Sequence, residues 1–215
     1  MTVGRKFLNW YARLSPAYGN VKPPYRHVVQ IGDPRLRKVS EAVPMDKIKT
    51  DEIQSVIEKL EYVLKKYESV GMSAPQIGVN MRIFVMRISE RQIALLSKEI
   101  AKSKVMSVVP YTVFINPNLK VIDYQKVTHL EGCESVRGFM ADVPRFKEVE
   151  VSGYNQHGEQ IAKVFQGWAA RVAQHELDHL NGKMYTDVMD RKSLQCSCWQ
   201  DVNLSQGKLS IPFSP

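Results

Sequence analysis

The stretch QHELDHLNG, residues 174–182, places His175 and His179 four positions apart, with Glu176 directly after the first histidine. Residues four apart lie on one face of a helix, so the two imidazoles can aim at a single point. Glu176 lies about 100° further around the helix, where its carboxylate can accept a proton from a water molecule beside a metal ion. The alternative is a chance spacing of two surface or core histidines. We favour a metal site, because the chain has only 5 histidines.

The sequence downstream of this stretch lacks the usual third ligand. A catalytic metal site commonly has three protein ligands and one open position. No histidine follows His179, no glutamate follows Glu176, and Tyr185 occupies the third-histidine position of the metzincin pattern. The remaining acidic residues, none at a favoured spacing, are Asp187, Asp190 and Asp201. Upstream, Cys133 ends a predicted strand, and spacing alone leaves it open whether Cys133 is a ligand or a buried structural thiol.

Length and composition are those of a globular chain of ordinary size. The 215 residues fit one domain, and contents of 44% hydrophobic and 24% charged residues are typical of such domains. No apolar run is long enough to span a bilayer, so no transmembrane segment is expected. The net charge of +8 is compatible with an anionic neighbour. However, the sequence lacks zinc-finger and RRM patterns and long basic runs, so no specific nucleic-acid binding is expected.

The three cysteines do not form a disulfide framework. An odd and low count indicates a reducing compartment. Cys196 and Cys198 form a CxC pair, which matches the usual CxxC spacing of metal sites poorly. We interpret this pair as packed or reduced bystanders.

The chain divides into a basic N-terminal segment (1–26), a catalytic domain (27–190) and a C-terminal extension (191–215). The first segment carries basic residues but no acidic residue precedes Asp33. An acid-poor, arginine-bearing start is compatible with a mitochondrial presequence or its remnant. The alternative is a basic tail without a targeting role.

Hydrophobic periodicity predicts an α+β fold, with short antiparallel or mixed sheets around a central helix that carries the HExxH pattern. The predicted helices cover 51–67, 90–104 and Trp168 to about Asn181, with Gly182 placed to cap the last one. The predicted strands cover 28–31, 82–88, 112–117, 118–123 and 127–132, followed by a hairpin of 143–154 and 159–165.

Three motifs in this order resemble those of the peptide deformylases. They are SVGMSAPQIGV (69–79), EGCES (131–135) and QHELDHLNG (174–182). GDPRLRKVSEAVP (32–44) also resembles the segment that opens the deformylase domain. The resemblance covers about 27–190 and implies a deformylase-like fold. The EGCES form and GWAAR (167–171) are most similar to the animal mitochondrial branch.

This resemblance implies a metal site and the kind of ion that the site binds. Cys133, His175 and His179 would bind one divalent metal ion. The family typically uses Fe²⁺. One thiolate and two imidazoles also suit Zn²⁺, Co²⁺ or Ni²⁺, so the sequence does not select the ion.

The resemblance also implies a reaction and the residues that perform it. Glu176 would be the general acid and base. The amide of Gln76 and the backbone N–H of Glu134 would stabilise the oxyanion, and Gly71 would hydrogen-bond the substrate backbone. The reaction would hydrolyse the N-formyl group of formyl-methionyl peptides and release formate.

The resemblance implies that the protein is located in the mitochondrial matrix, where translation starts with formyl-methionine. A location near the mitochondrial ribosome is compatible with this function. Two other functions remain as alternatives. One is a catalytically weakened, deformylase-like binding protein. The other is a zinc peptidase that uses HExxH with an aspartate ligand.

Four positions depart from the common bacterial motifs of the family. Ser69 replaces a glycine and Met72 replaces a leucine, and we expect both changes to be tolerated. Ser73 replaces an alanine, and we expect its hydroxyl to bond the local backbone. Glu134 replaces a leucine, and we expect its carboxylate to pair with Arg137 or Arg145, or to repel peptides with acidic second or third residues. The remaining histidines, His27, His129 and His157, are expected to be structural.

Overall fold

A computed structural model describes residues 21–215, so most of the basic segment 1–26 lies outside the described residues. The helices are α1 (Asp51–Lys66), α2 (Glu90–Ala94), α3 (Lys98–Ser103), α4 (Gly167–Leu180) and α5 (Trp199–Leu204). The strands are β1 (Gly71–Ser73), β2 (Ile83–Ile88), β3 (Val109–Gly132), β4 (Phe139–Tyr154), β5 (Gln160–Gln166) and β6 (Gln195–Cys196). Short 3-10 turns cover Pro34–Arg37, Met45–Lys47, Ala74–Ile77, Glu134–Val136, Tyr185–Asp187 and Arg191–Ser193.

The strands pair antiparallel in the order β1-β2-β3-β4-β5, and β6 pairs with the start of β4. Helices α1 and α4 supply most of the helical packing surface of this sheet. The arrangement confirms the α+β class. Within residues 21–215, no helix combines the length and apolarity that crossing a membrane requires.

Helix α1 confirms the prediction for 51–67. Its apolar residues recur at helical spacing, and one face is buried against β1 and β2. Asp51 and Glu52 in its first turn and Lys65 and Lys66 in its last turn complement the helix dipole. The short segment 67–70 then connects the end of this helix to β1, which begins at Gly71.

The three short strands predicted between 112 and 132 are wrong as separate elements, because β3 runs through all of them for 24 residues. The turn-like residues shift the register of β3 against β4 after Ile115, after Val121 and after Asp123. Such bulges absorb residues that do not fit a regular ladder, while pairing continues on both sides. Strand β3 thereby runs without interruption to Gly132, directly before Cys133.

Two further predicted elements differ from the structure. Residues 28–31 form no strand, because the N–H groups of Val29 and Ile31 donate to the carbonyls of Gln76 and Ser135, which lie in 3-10 turns. The helix predicted over 90–104 is divided into α2 and α3, since Ser97 caps a second start. The strand at 82–88 and the hairpin of β4 and β5 are confirmed.

Helix α4 confirms the prediction of a helix from Trp168, and its C-terminus is held by a Schellman motif. Gly182 has φ of 70°, and its N–H donates to the carbonyl of His179 at 3.1 Å, while that of Lys183 donates to Asp178 at 2.8 Å. A Cβ at Gly182 would lie 2.7 Å from the carbonyl oxygen of Arg37. This end of α4 is therefore tightly packed against the N-terminal part of the domain.

Candidate metal centre

Three potential metal ligands converge from two elements. Cys133 directly follows β3, and His175 and His179 lie one turn apart on α4. One ligand atom from each lies within 4.8 Å of the others. The Sγ of Cys133 is 3.3 Å from the Nε2 of His179. This is the only group of three or more such side chains with this closeness among residues 21–215.

A buried acidic side chain orients one of the histidines. Glu131 Oε2 is 3.1 Å from Nδ1 of His175, which leaves Nε2 of His175 to face the metal site. Glu131 also accepts hydrogen bonds from Arg145 at 3.0 Å and from Arg171 at 2.7 Å. Burial opposes ionisation of Glu131, but hydrogen bonds from His175 and Arg145 outweigh it and lower its pKa. The carboxylate therefore stays ionised beneath the site.

The protonation of His179 also suits a metal ligand. Burial, followed by the charge of His175, lowers the pKa of His179 well below its usual value. The imidazole of His179 is therefore neutral, and a neutral imidazole is the form that binds a metal.

Glu176 is buried beside the three ligands. Its Oε2 has no hydrogen-bond partner among the described residues. Burial raises the pKa of Glu176 to about 7, although the charge of His175 acts in the opposite direction. A carboxyl group poised near neutral pH can both accept and deliver a proton.

Gly71 lies against Glu176 at the start of β1. A Cβ at Gly71 would collide with Oε1 of Glu176 and lie 2.8 Å from Cγ1 of Val172. Glycine therefore lets the backbone of β1 approach α4 closely. The backbone of Gly71 lines the same cavity as the metal ligands.

The side-chain amide of Gln76 directs its NH₂ group toward the metal ligand Cys133. Its Oε1 accepts hydrogen bonds from both the backbone N–H and the hydroxyl of Ser73, each at 2.9 Å. Its Nε2 faces the Sγ of Cys133 at 3.6 Å and the hydroxyl of Ser135 at 3.3 Å. The Ser73 hydroxyl also faces the backbone N–H of Gln76 in a capping-box arrangement at the start of the 3-10 turn Ala74–Ile77, so the expected local backbone contact is present beside the bond to the Gln76 side chain.

Glu134 pairs with one of its two expected partners. Its Oε2 is 3.0 Å from Nη1 of Arg137. Arg145 instead bonds Glu131 and Asp178. Burial raises the pKa of Glu134, while the charge of Arg137 partly offsets this effect. The backbone carbonyl of Glu134 accepts a hydrogen bond from the side chain of Gln30 at 2.8 Å, which fixes the peptide after Cys133.

A cavity of about 590 Å³ opens in front of these residues. It is lined by residues of the site and by residues of the C-terminal extension, among them Gly71, Gln76, Cys133, Glu134, His175 and Glu176, together with Cys198, Asp201 and Leu209–Pro212. Its size suits a short peptide.

The other sequence candidates lie outside the metal centre. Cys196 and Cys198 have their sulfur atoms 3.6 Å apart, and only Cys198 lines the cavity. His129 packs edge-on against Trp168, and His157 is exposed in the hairpin turn. Asp187 pairs with Arg37, and Asp190 caps a 3-10 turn, so neither joins the three ligands. His27 is exposed and stacks on Tyr25.

Sequence reasoning missed the side chains that support the site. Arg145 on β4 and Arg171 on α4 meet at Glu131, which lies two residues before Cys133. An acidic residue in a strand that is otherwise half apolar is the one signal that could have indicated a buried ion pair. The partners of Glu131 could not be identified, because they come from distant segments.

A cysteine sulfur, two imidazoles and a buried carboxyl group beside a peptide-sized cavity are the groups of a mononuclear metallohydrolase. The polypeptide deformylase family model matches residues 25–195. The mitochondrial peptide deformylase of Homo sapiens is 40% identical over 185 residues, which cover 86% of this chain and 76% of the relative. Peptide deformylase 1A (chloroplastic/mitochondrial) of Arabidopsis thaliana is 36% identical over 180 residues, covering 84% of this chain and 67% of the relative.

A solved structure agrees with these sequence comparisons. The peptide deformylase from Thermotoga maritima superimposes with a TM-score of 0.64 at 30% identity, covering 79% of this chain and 99% of that chain. The chain therefore belongs to the polypeptide deformylase family. It is a hydrolase that removes the N-formyl group from nascent peptides, and its family depends on a metal ion.

Proposed function

We propose that this deformylase acts on formyl-methionyl polypeptides made in mitochondria, with one Fe²⁺ ion as its metal. The observation that carries the site assignment is the convergence of Cys133, His175 and His179 within 4.8 Å beside buried Glu176. The soft thiolate and the two imidazoles suit Fe²⁺, and the same set would accept Zn²⁺, Co²⁺ or Ni²⁺.

The three ligands would hold the metal with an orientation fixed by the protein. Glu131 holds the ring of His175, and burial keeps His179 neutral. When bound, the divalent ion would act as a Lewis acid that polarises the formyl group and makes water a better nucleophile. This chemistry is needed because a formamide is a poor electrophile and neutral water attacks it slowly.

Side-chain and backbone groups of the protein would transfer the proton of the attacking water and stabilise the negative charge of the oxyanion. Glu176 would accept a proton from the attacking water and then deliver it to the departing amine, so that formate and a free N-terminal methionine result. The Nε2 of Gln76 and the backbone N–H of Glu134 would stabilise the oxyanion, and one such donor is worth about 3 kcal/mol. The close backbone of Gly71 would hydrogen-bond the peptide substrate.

The setting of the enzyme is also part of the proposal. The mitochondrial name of the human relative and the acid-poor start of residues 1–26 support a matrix location, with substrates that emerge near the mitochondrial ribosome. The catalytic domain would cover 27–190, and the C-terminal extension 191–215. Fractionation of cells that express residues 1–215, or a chain lacking residues 1–20, would test the proposed matrix location. Matrix recovery of both forms would refute a targeting role for residues 1–20.

The test of the catalytic assignment is formate release from formyl-Met-Ala-Ser by protein purified without oxygen, beside a Glu176→Gln variant. We expect formate from the parent protein. The variant should bind the same amount of metal but release formate at least about 100-fold more slowly. Equal rates would refute the role of Glu176. No formate from the metal-loaded parent would favour a weakened binding protein instead.

A second variant separates the deformylase site from a zinc peptidase with an aspartate ligand. Cys133→Ala should lose the metal during dialysis, because it removes one of three ligands. Cys196→Ala is the matched control and should retain it. Full metal retention by Cys133→Ala would show that the third ligand lies elsewhere.

A further inference from the structure

The last residues of the chain reach the substrate cavity. We define the C-terminal strap as Leu209–Pro215. Its first four residues, Leu209–Pro212, line the same cavity as Gly71 and Cys133. The strap lies beyond the family match, which ends at residue 195. It is therefore a part of the cleft that the shared family core does not supply.

Contacts on both sides anchor the strap. On one side, Lys66 Nζ donates to the hydroxyl of Ser214 at 2.7 Å, and the hydroxyl of Tyr67 donates to the carbonyl of Phe213 at 3.1 Å. On the other side, Ile211 packs on Gly138, where an added Cβ would lie 2.7 Å from Cδ1 of Ile211. The strap therefore connects the end of α1 with the residue before β4.

The side chains of the strap are uncharged and mostly apolar. Residues 209–215 read LSIPFSP, and Lys208 is the last charged side chain of the sequence. Leu209 and Ile211 are exposed, at 42% and 37%, and both line the open cavity of about 590 Å³. The strap thus forms one wall of the cavity and leaves the cavity open to a ligand. An apolar wall of this kind favours apolar side chains in the ligand.

Position decides which part of a substrate meets this wall. The formyl group must reach the centre formed by Cys133 and Glu176, so the peptide continues from there toward the cavity mouth. We propose that Ile211, supported by Leu209, is a specificity-determining residue that contacts substrate side chains beyond the N-terminal methionine. This inference rests on the deformylase reaction at the metal centre.

The first test compares substrates of two lengths in the metal-loaded full chain. Ile211→Ala should raise KM about five- to tenfold for formyl-Met-Leu-Phe, while kcat changes less than about twofold. For formyl-methionine amide, which has no residue beyond the methionine, both constants should match those of the parent protein. Leu204→Ala, which changes a side chain that is 84% exposed and outside the cavity lining, is the matched control.

The second test uses charge, because a purely structural role of Ile211 would not change charge preference. Ile211→Glu should favour formyl-Met-Ala-Lys over formyl-Met-Ala-Glu by about three- to fivefold in kcat/KM, relative to the parent protein. An unchanged preference would overturn the proposal. So would an unchanged or lowered KM of Ile211→Ala for formyl-Met-Leu-Phe, since a lowered value would mean that the strap competes with substrate.

These outcomes are separable from failure of the catalytic assignment. Turnover of formyl-methionine amide by the parent and by both variants reports the reaction itself. An equal loss for the short and the long substrate would overturn the specificity role and leave the deformylase assignment intact.

Discussion

Glu131 holds the ring of His175 through a contact of 3.1 Å and is itself held by two buried arginines, Arg145 and Arg171. One carboxylate thus links β3, β4 and α4 directly beneath the metal site. The ring of His175 has little freedom to turn away from the metal position. The geometry of the centre therefore depends on a residue that need not contact the metal.

Replacing Glu131 by glutamine should weaken metal binding about 10- to 100-fold, since loss of such supporting contacts has this effect in metal sites. The variant should also unfold more easily, because Arg145 and Arg171 lose a buried charged partner. Competition with a chelator measures the first effect, and thermal unfolding the second. Asp178→Asn is the control, because Asp178 bonds Arg145 at 2.5 Å without bonding His175. Metal affinity equal to that of the parent protein would contradict this role for Glu131.

Gly71→Ala should abolish most activity, because its Cβ would collide with Glu176 and with Val172. Relief of this overlap must move β1 or the general base, and such overpacking costs about 1–3 kcal/mol in stability. Formate release and the unfolding temperature measure the two effects. Gly132→Ala is the control, since its nearest neighbours lie 3.6 Å away in ordinary contact. Similar losses in both variants would show that the close approach at Gly71 is unimportant.

Ser73→Ala should lower kcat about three- to tenfold without changing the bound metal, because Gln76 loses one of the two donors that orient its amide. Gln76→Ala should lower kcat about 100-fold, since it removes the oxyanion donor itself. A Ser73→Thr variant, which keeps the hydroxyl, should be closer to the parent. An equal effect of Ser73→Ala and Gln76→Ala would mean that Ser73 does more than orient this amide.

Asp33→Asn should lower the free energy of unfolding by about 1 kcal/mol at pH 7, a value reduced for partial exposure. The hydrogen bond from the Arg35 side chain holds the pKa of Asp33 below its usual value, while partial burial acts in the opposite direction. A lowered pKa stabilises the fold above the unfolded-state value, so the difference should shrink as the pH falls from about 5 to below 3. Urea titrations across this range would measure it, with the exposed Asp46→Asn as control. A difference that stays constant with pH would exclude the ion pair as its cause.

The elements that could be predicted from sequence are those governed by local rules. The apolar spacing of 51–67 and the His175–His179 interval both depend on the helical repeat, and the structure contains both helices. The hairpin of β4 and β5 follows from two apolar runs around a turn. Each of these signals lies within a single segment.

What failed depends on pairing between distant segments. Turn residues near Asn116 and Asp123 indicate strand ends, but β4 continues to pair across them. Residues 28–31 have the composition of a strand, yet the backbone N–H groups of Val29 and Ile31 donate to carbonyls in 3-10 turns. No spacing rule could select Cys133 as the third ligand, because the distance from β3 to α4 is set by tertiary packing. The resemblance to a family, which carries tertiary information, selected it.

The location of the strap has a practical consequence for anyone who purifies this protein. Pro215 directly follows Phe213 and Ser214, which Tyr67 and Lys66 hold by hydrogen bonds, and the preceding residues Leu209–Pro212 line the cavity. A tag joined to this end would be carried to the entrance of the cleft. Affinity tags are therefore better placed away from Pro215, and peptide kinetics are best measured with nothing fused to this residue.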